Sequence, residues 1–543
     1  MFENSSARVS LENIVHWALA ALLLYVCFFS QLDALGLLGP DEPRYAAIAQ
    51  EMSRTGDWVT PRLHGKGWFE KPVLYYWTAG AAFRWLGEGE TSARLPSALA
   101  ALITALALAY AARMYYGGGA AWAVMLIFPT SVGVFAFARA ATTDMLFSAA
   151  LCLSMLSAAQ LLGPWRGTAG AACLPLFWQR TAFGGLLGLA ALAKGPAALA
   201  LAGGSVALWT LATRRWRDSL RLLHPVSILV FFAVAAPWYV LVSLRNREFV
   251  DVFLIAHNFE RYLTPVFRHE QPVWFFGPVL ALGLVPWTAL LVAVARAGWE
   301  LKREKRWQDS AGFFFACWVI FPLVFFSLSK SKLPGYVLPA IPPLALLFAR
   351  CLSAEIGGSG KKARAVLAGV GATLILLALS AGYWLKRLPP ETGFQEPAHF
   401  VPALAAVAAA GAGIIVAALL GRSSAAFLSA AILMAGLVEC TNRVVLPQLD
   451  PHLSARAAAE MTQTAHSGMT APHVFQMHRA WHYGLNYYHR QELREWDPRT
   501  GEPAWVYTPE SGIAEIQSRG VPYVVVSRIT PRVALVRVEG RAR

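Results

Sequence analysis

Charged residues are scarce in this 543-residue chain: Asp, Glu, Lys and Arg make up only 15% of it, whereas hydrophobic residues make up 56%. A soluble protein would carry about 25% charged residues. Apolar stretches of about 17 to 25 residues recur through most of the chain, and each could cross a bilayer as a helix. The low charge therefore excludes an ordinary soluble protein and predicts a polytopic membrane protein.

Cysteine and nucleotide-binding motifs are also lacking. The six cysteines lie mostly in or at the ends of apolar stretches, so no disulfide framework is predicted. The chain has no P-loop, no glycine-rich dinucleotide motif and no Asp-x-Asp motif suited to a metal-bound nucleotide sugar. His473, His478, His482 and His489 match no zinc-ligand spacing. These absences argue against a nucleotide-sugar donor. No cofactor or metal is predicted, although a divalent ion is left open.

The basic residues lie largely in short loops between apolar stretches, which is typical of loops that face the cytoplasm. This pattern accounts for the net charge of +15 without nucleic-acid binding. With the N-terminus inside, it predicts about thirteen spans. They run near 13–31, 95–112, 118–137, 145–162, 181–194, 196–213, 224–244, 273–297, 311–328, 336–352, 365–386, 400–420 and 424–441.

The run 73–86 resembles a span, but counting it would place every later basic loop outside. It is short and aromatic and contains Arg84, so we interpret it as an amphipathic helix lying in the membrane interface. A second such helix is predicted near 43–54, within a large periplasmic loop 31–94. The aromatic residues of the first helix that fit an interface are Tyr75, Tyr76, Trp77 and Trp85.

The composition changes after residue 441. Short strands are predicted at 474–477, 504–508, 522–527 and 533–538, with a helix at 511–519. The predicted fold is therefore an all-α polytopic membrane domain over 1–441, followed by a soluble α/β domain over 442–543 on the outer, periplasmic side.

Several polar and charged residues belong neither to the apolar spans nor to the basic cytoplasmic loops. They lie on the predicted outer face. Charges at a membrane boundary are costly to desolvate and are retained mainly where they do chemistry or anchor the surface. In loop 31–94, Asp41, Glu42 and Arg44 lie in one short cluster, and Glu70 and Lys71 form a second. Three acidic and two basic residues on one loop fit the handling of a charged lipid headgroup.

The acidic residues also have a plainer interpretation. Asp41 and Glu42 could only cap the helix that begins at Pro43, because an acid before a first-turn proline is a good cap. His269 could contact a substrate or simply lie in a solvated loop.

The basic residues have alternatives too. Lys194 could extend its side chain to the interface, and so could Lys330 and Lys332. The Pro-Gly break beside the last two favours phosphate binding. Arg139 and Asp144 could pair only with each other.

Three motifs carry a family resemblance: Asp-Glu-Pro-Arg-Tyr-Ala at 41–46, Gly-Asp-Trp-Val-Thr-Pro-Arg-Leu at 56–63 and Trp-Phe-Glu-Lys-Pro at 68–72. They resemble the first outer loop of GT-C membrane glycosyltransferases, in particular the lipid A aminoarabinose transferases. The protein O-mannosyltransferases are more distant relatives. The resemblance continues at Arg94 and through 330–336. The chain departs from it at Asp144, which Met145 follows where a proline is expected.

The resemblance implies transfer of 4-amino-4-deoxy-L-arabinose from undecaprenyl phosphate to a lipid A phosphate, which would give resistance to polymyxin and other cationic peptides. The implied place is the periplasmic face of the bacterial inner membrane. The implied partners are the undecaprenyl-phosphate-linked sugar donor, the lipid A acceptor and membrane lipids, and a monomer is expected. The predicted catalytic residues are Asp41, Glu42 and Asp144; the predicted substrate-binding residues are Arg44, Tyr45, Glu70, Lys71, Arg139, Lys194, His269, Lys330, Lys332 and Tyr336.

Two other functions stay open at this point. One is transfer of mannose or another sugar from a polyprenyl phosphate to protein or glycan, for which Asp41 would have to act as a general base towards a hydroxyl. The other is a lipid transporter without chemistry. Transporters often contain two related halves, and no internal repeat is found in this sequence.

Overall fold

The computed structural model describes residues 11–163, 165, 175–264, 270–303, 307, 310–356, 361–385, 387, 400–465, 471–500, 502–530 and 533–539. A helical bundle occupies the first part of the chain and a small α/β unit the last. The N-terminal half contains α1 (Leu11–Phe28), α2 (Asp41–Thr55), β1 (Arg62–Leu63), β2 (Lys66–Gly67), α3 (Leu74–Leu86), α4 (Glu90–Tyr116), α5 (Gly118–Thr130), α6 (Val132–Ala138), α7 (Thr143–Leu162), α8 (Leu176–Lys194), α9 (Ala197–Thr213), α10 (Trp216–Ser219), α11 (Pro225–Arg245) and α12 (Arg261–Leu263).

The bundle continues beyond a π-helical segment, Val250–Glu260, that precedes α12. Its later helices are α13 (Phe276–Gly283), α14 (Leu290–Arg303), α15 (Ala311–Leu328), α16 (Ile341–Ile356), α17 (Lys361–Leu385), α18 (Val401–Leu419) and α19 (Ser423–Cys440). A 3-10 turn, Pro334–Ala340, leads into α16.

Membrane crossing is judged from helix length and hydropathy. Among the described residues, eight helices are long and apolar enough to span, or up to ten if each of two bent pairs is one span. The bends are 65° between α5 and α6 and 120° before α14. The shorter apolar helices α1 and α9, together with α8, lie at further predicted spans. Every predicted span therefore coincides with a helix or a bent helix pair.

The two helices predicted to lie in the interface are instead packed inside the protein for most of their length. α3 has 13 residues, and its Tyr75 and Tyr76 rings are fully buried. The prediction that these two rings lie at the interface is wrong, because α3 packs against α2 and α4. Only the C-terminal end of α3 is exposed to the surroundings; Trp85 there is 82% exposed. α2 is covered by α3 and by the C-terminal unit.

The C-terminal unit is a four-stranded sheet with helices. It comprises α20 (Leu446–Leu453), α21 (Arg456–Ala465), β3 (His473–Val474), α22 (Arg479–His489), β4 (Ala504–Thr508), α23 (Glu510–Ser518), β5 (Tyr523–Thr530) and β6 (Val533–Val538). The strand order is β3-β4-β6-β5, in which β3 and β4 are parallel and the other pairs antiparallel. The four predicted strands and the predicted helix all correspond to observed elements.

This unit rests on the loop between α1 and α2. The Gly36 amide donates to Asp450 Oδ1 at 2.6 Å, and Tyr488 Oη donates to Glu90 at 2.7 Å. A side chain at Gly36 would meet the Ser454 hydroxyl at 2.3 Å, so glycine allows this close approach. These contacts hold α22 directly over α2, where the acidic motif begins.

Candidate active site

The second acid of the motif, Glu42, belongs to a fully bonded network. Its carboxylate accepts from the Leu38 amide at 2.7 Å, from the Ala141 amide at 2.6 Å, and from Arg94 Nε and Nη2 at 3.2 and 2.8 Å. Arg94 also donates to the carbonyls of residues 32, 35 and 36. We call Glu42, Arg94 and these backbone groups the closed network.

The closed network ties the start of α2 to α4 and to the loop before α7. Because each carboxylate oxygen of Glu42 already accepts two hydrogen bonds, the side chain is poorly placed to exchange a proton or hold a ligand. These donors lie outside the first turn of α2, so among the described residues Glu42 does not cap that helix and the plainer interpretation is wrong for it. The same complete set of bonds argues against the catalytic role predicted from the sequence.

The first acid, Asp41, lies in a different environment. Its side chain is 49% exposed, and its Oδ1 accepts from Arg44 Nη2 at 2.6 Å. The same Arg44 nitrogen lies 3.0 Å from Glu70 Oε2. One arginine therefore joins the two charged motifs of the loop.

Aromatic rings hold Arg44 in this position. Its guanidinium carbon lies 5.2 Å from the ring centroid of Trp68, 5.5 Å from that of Tyr45 and 5.6 Å from that of Tyr483. Tyr483 comes from α22, so the C-terminal unit contributes directly to the site. The Tyr45 ring itself is buried against Tyr75 and Tyr76. Burial raises the pKa of Tyr45 well above its usual value, so the phenol stays neutral.

A second ion pair lies across the bundle, where α7 begins and α8 ends. Lys194 Nζ pairs with Asp144 Oδ1 and lies 5.2 Å from the ring centroid of Tyr336. Gly335 makes this possible, because a Cβ there would lie only 3.1 Å from the Asp144 carboxylate. The alternatives that Lys194 extends to the interface, or that Asp144 pairs with Arg139, are both wrong.

Lys71 lies between these two ion pairs. Among the residues that the structure describes, its ammonium group makes no hydrogen bond or ion pair. Loss of hydration, followed by the charges of Arg261 and Lys194, lowers the pKa of Lys71 to about 7. Glu70 and Asp144 act in the opposite direction and only partly offset this. We call Asp41, Arg44, Glu70, Lys71, Asp144 and Lys194 the open cluster.

The π-helical segment Val250–Glu260 covers the open cluster. Its Phe253 packs on Gly195, where a Cβ would lie 2.6 Å from the ring and where φ is +69°. Phe249, which immediately precedes the segment, packs edge-on against Phe69 with 5.6 Å between the ring centroids. Burial also lowers the pKa of His257, which responds to the charges of Glu70 and Lys71. This segment therefore limits the access of water to the cluster.

The remaining predicted residues lie apart from the open cluster or bond to backbone groups of nearby turns. Arg139 donates to the carbonyls of Ser30 and Gln31 at 2.6 and 2.7 Å and so holds the turn that follows α1. Lys332 is buried and donates to the Ser329 carbonyl at 2.6 Å. Lys330 is exposed, and its backbone amide donates to the Tyr262 carbonyl; in the described ranges its side chain has no partner. His269 lies outside the described residues.

Sequence reasoning missed Tyr483, His257 and Arg261. Tyr483 lies in a part of the chain with no polar motif, and no local pattern signals that it meets Arg44. His257 and Arg261 are four residues apart, and this spacing, which places two residues on one helical face, was the available signal.

Comparison with known proteins identifies the family. The family model described as dolichyl-phosphate-mannose-protein mannosyltransferase matches residues 16–253. The undecaprenyl phosphate-alpha-4-amino-4-deoxy-L-arabinose arabinosyl transferase of Edwardsiella ictaluri is 31% identical over 390 residues, which cover 70% of this chain and 68% of that protein. This chain belongs to the aminoarabinose arabinosyl transferase family.

Other members of the aminoarabinose arabinosyl transferase family show similar likeness. The transferase of Serratia proteamaculans is 34% identical over 372 residues, which cover 67% of this chain and 64% of that protein. The crystal structure of ArnT from Cupriavidus metallidurans bound to undecaprenyl phosphate matches with a TM-score of 0.78 and 26% identity, over 96% of this chain and 97% of that one. The structural likeness therefore includes both the helical bundle and the C-terminal unit.

Proposed function

We propose that this chain transfers 4-amino-4-deoxy-L-arabinose from undecaprenyl phosphate to a phosphate of lipid A. Family membership makes it a transferase. The observation that supports the donor is the position of the Lys71 ammonium group, which lies between two ion pairs and has no partner within the described part of the chain. A partly desolvated cation without a partner is a suitable site for a lipid phosphate.

In the proposed reaction the bond between sugar C1 and the donor phosphate oxygen breaks, and its electron pair stays on the phosphate. An oxygen of the acceptor phosphate forms the new bond to C1. Lys71 neutralises the charge that develops on the leaving phosphate, with Lys194 as the neighbouring cation. One well-placed donor of this kind is worth about 3 kcal/mol in the transition state. We propose no metal requirement.

Asp41 and Glu70 have a different role in this proposal. The acceptor phosphate, with a second pKa of about 6, is already a nucleophile at neutral pH and needs no strong base. The half-exposed carboxylate of Asp41 can instead bind the ammonium group of the sugar or orient the acceptor. Arg44 and its surrounding rings hold both acids in place.

The finer topology is part of the same proposal. The proposal counts about one span for each apolar stretch, which gives thirteen. With the N-terminus inside, this count places the open cluster and the C-terminal unit in the periplasm. The protein would then be a monomer in the bacterial inner membrane. A reporter active only in the periplasm should be active after Arg543 and silent in the loop 214–221. The reverse result would put Lys71 on the wrong side for lipid A.

The reaction is tested by the mass of lipid A from cells with and without the gene. We expect a gain of one amino-pentose, and none with the Asp41→Asn protein at equal abundance. The mannosyltransferase alternative is favoured by the family model that matches residues 16–253. Unchanged lipid A together with a hexose gained on protein or glycan would support that alternative and overturn the proposal. No observation in the structure favours transport without chemistry.

A further inference from the structure

An apolar cavity of about 690 Å³ lies between α8, α9 and α11, away from the open cluster. Its walls include Leu187, Val206 and Phe231, and one end is closed by Trp216 and Leu220 of the short connection between α9 and α11. Its volume falls in the range of small-molecule pockets, about 300 to 1,000 Å³. Neither the open cluster nor the proposed transfer reaction uses this space.

Glycines show that the cavity is built into the helix packing. A Cβ at Gly184 would lie 2.1 Å from the Ser227 carbonyl oxygen, so α8 and α11 touch on one side of the cavity. A Cβ at Gly204 would lie 1.9 Å from Phe321, so this glycine allows α9 to pack on α15. Gly203 differs, because no atom of the described residues lies within 4 Å of its Cβ position, which faces the open space of the cavity.

A glycine inside a helix costs about 1 kcal/mol relative to alanine. Close packing explains that cost at Gly184 and Gly204. At Gly203 no atom of the described residues requires a glycine and so explains this cost. A ligand that fills the cavity would explain it.

The mouth of the cavity is basic. Arg215 is engaged with Asp218 at 2.6 Å, and Arg221 donates to the Gly163 carbonyl at 2.8 Å. Arg214 and Arg217 are exposed, and within the described ranges their side chains make no hydrogen bond or ion pair. Arg217 follows Trp216, which lines the cavity, and Arg214 lies two residues before it. The site therefore joins an apolar chamber to two available guanidinium groups.

We propose that this cavity binds one acyl chain of an anionic glycerophospholipid, whose phosphate is held by Arg214 and Arg217. The lipid comes from the leaflet on the side of α10, which is predicted to be cytoplasmic. Guanidinium groups suit phosphate oxygens, and the apolar walls suit an alkyl chain. Bilayer lipids reach the cavity sideways, because Leu229 and Phe232 near its opening are exposed at 72% and 56%.

The test uses the full chain, purified in detergent and freed of lipid, with added phosphatidylglycerol or phosphatidylcholine of identical chains. Phosphatidylglycerol should raise the unfolding temperature, and phosphatidylcholine should raise it less. Arg214→Ala and Arg217→Ala should each weaken phosphatidylglycerol binding about fivefold. Arg422→Ala removes a charge from another predicted cytoplasmic loop and should leave binding unchanged.

Gly203→Trp fills the cavity and should abolish the shift in unfolding temperature, whereas Gly203→Ala should keep it. If Gly203→Trp unfolds without lipid, Ala207→Phe, one turn away on the same wall, replaces it. Equal shifts with both lipids, or a shift that persists in a folded cavity-filled variant, would overturn the proposal. So would displacement of phosphatidylglycerol from the cavity by undecaprenyl phosphate, because the chamber would then hold the donor's tail.

Discussion

Asp41 and Glu42 are neighbours in the chain, yet they belong to two regions with opposite properties. In the closed network, Glu42 and Arg94 are buried, and each is bonded to several partners. In the open cluster, Asp41 is half exposed with one arginine as its partner, and Lys71 has no partner among the described residues. Both regions contain acids and bases at the same end of the bundle.

The difference lies in how much hydrogen-bonding capacity remains for a ligand. A buried charge whose bonds are complete stabilises the fold, and removing its partner leaves it uncompensated. A charge with unused capacity and a shifted pKa marks a functional site. Changes in the closed network should therefore act on stability, and changes in the open cluster should act on activity.

The largest effect is expected for Asp41→Asn. It should reduce transfer at least about a hundredfold at normal protein abundance, because the amide has no charge for the sugar ammonium. Survival of a deletion strain in polymyxin, measured with protein level, checks this. Asp33→Asn, an exposed acid in the same loop, is the matched control and should have no effect. Full survival with Asp41→Asn would remove Asp41 from the mechanism.

Arg94→Ala should have the next largest effect, and on stability. It leaves the buried Glu42 carboxylate without its ion pair, which costs about 3 to 5 kcal/mol. The unfolding temperature in detergent should fall by several degrees. Arg54→Ala breaks a pair with Glu88 in which the arginine is 41% exposed, so it should cost less than about 1 kcal/mol. Equal losses for the two variants would contradict the stabilising role assigned to the closed network.

Tyr483→Ala should have a smaller effect, since one of the rings around Arg44 is lost. Cation–π contacts of this kind contribute about 0.5 to 2 kcal/mol, so activity should fall several-fold with little loss of stability. Tyr483→Phe keeps the ring and should restore activity. If Tyr483→Phe is as impaired as Tyr483→Ala, the hydroxyl and not the ring matters.

Local patterns predicted much of this architecture. Strands 504–508 and 533–538 and the helix positions followed from hydropathy and residue type. The different environments of Asp41 and Glu42 did not follow from local patterns. They depend on Arg94, which is 52 residues from Glu42 in the chain. The same holds for Asp144 and Lys194, which are 50 residues apart. Side-chain pairs between distant helices depend on packing, which periodicity does not encode.

The most direct test of the open cluster is the pH dependence of undecaprenyl phosphate binding in detergent. Because the pKa of free Lys71 lies at about 7, raising the pH above 7 removes the proton that phosphate binding needs. Affinity should fall towards about tenfold per pH unit between 7 and 9.

Lys71→Arg stays charged throughout this range and should bind without that fall. Lys71→Ala should bind weakly at every pH. Wild-type affinity that does not change between pH 7 and 9, together with unchanged affinity in Lys71→Ala, would contradict the assignment of the lipid phosphate to Lys71.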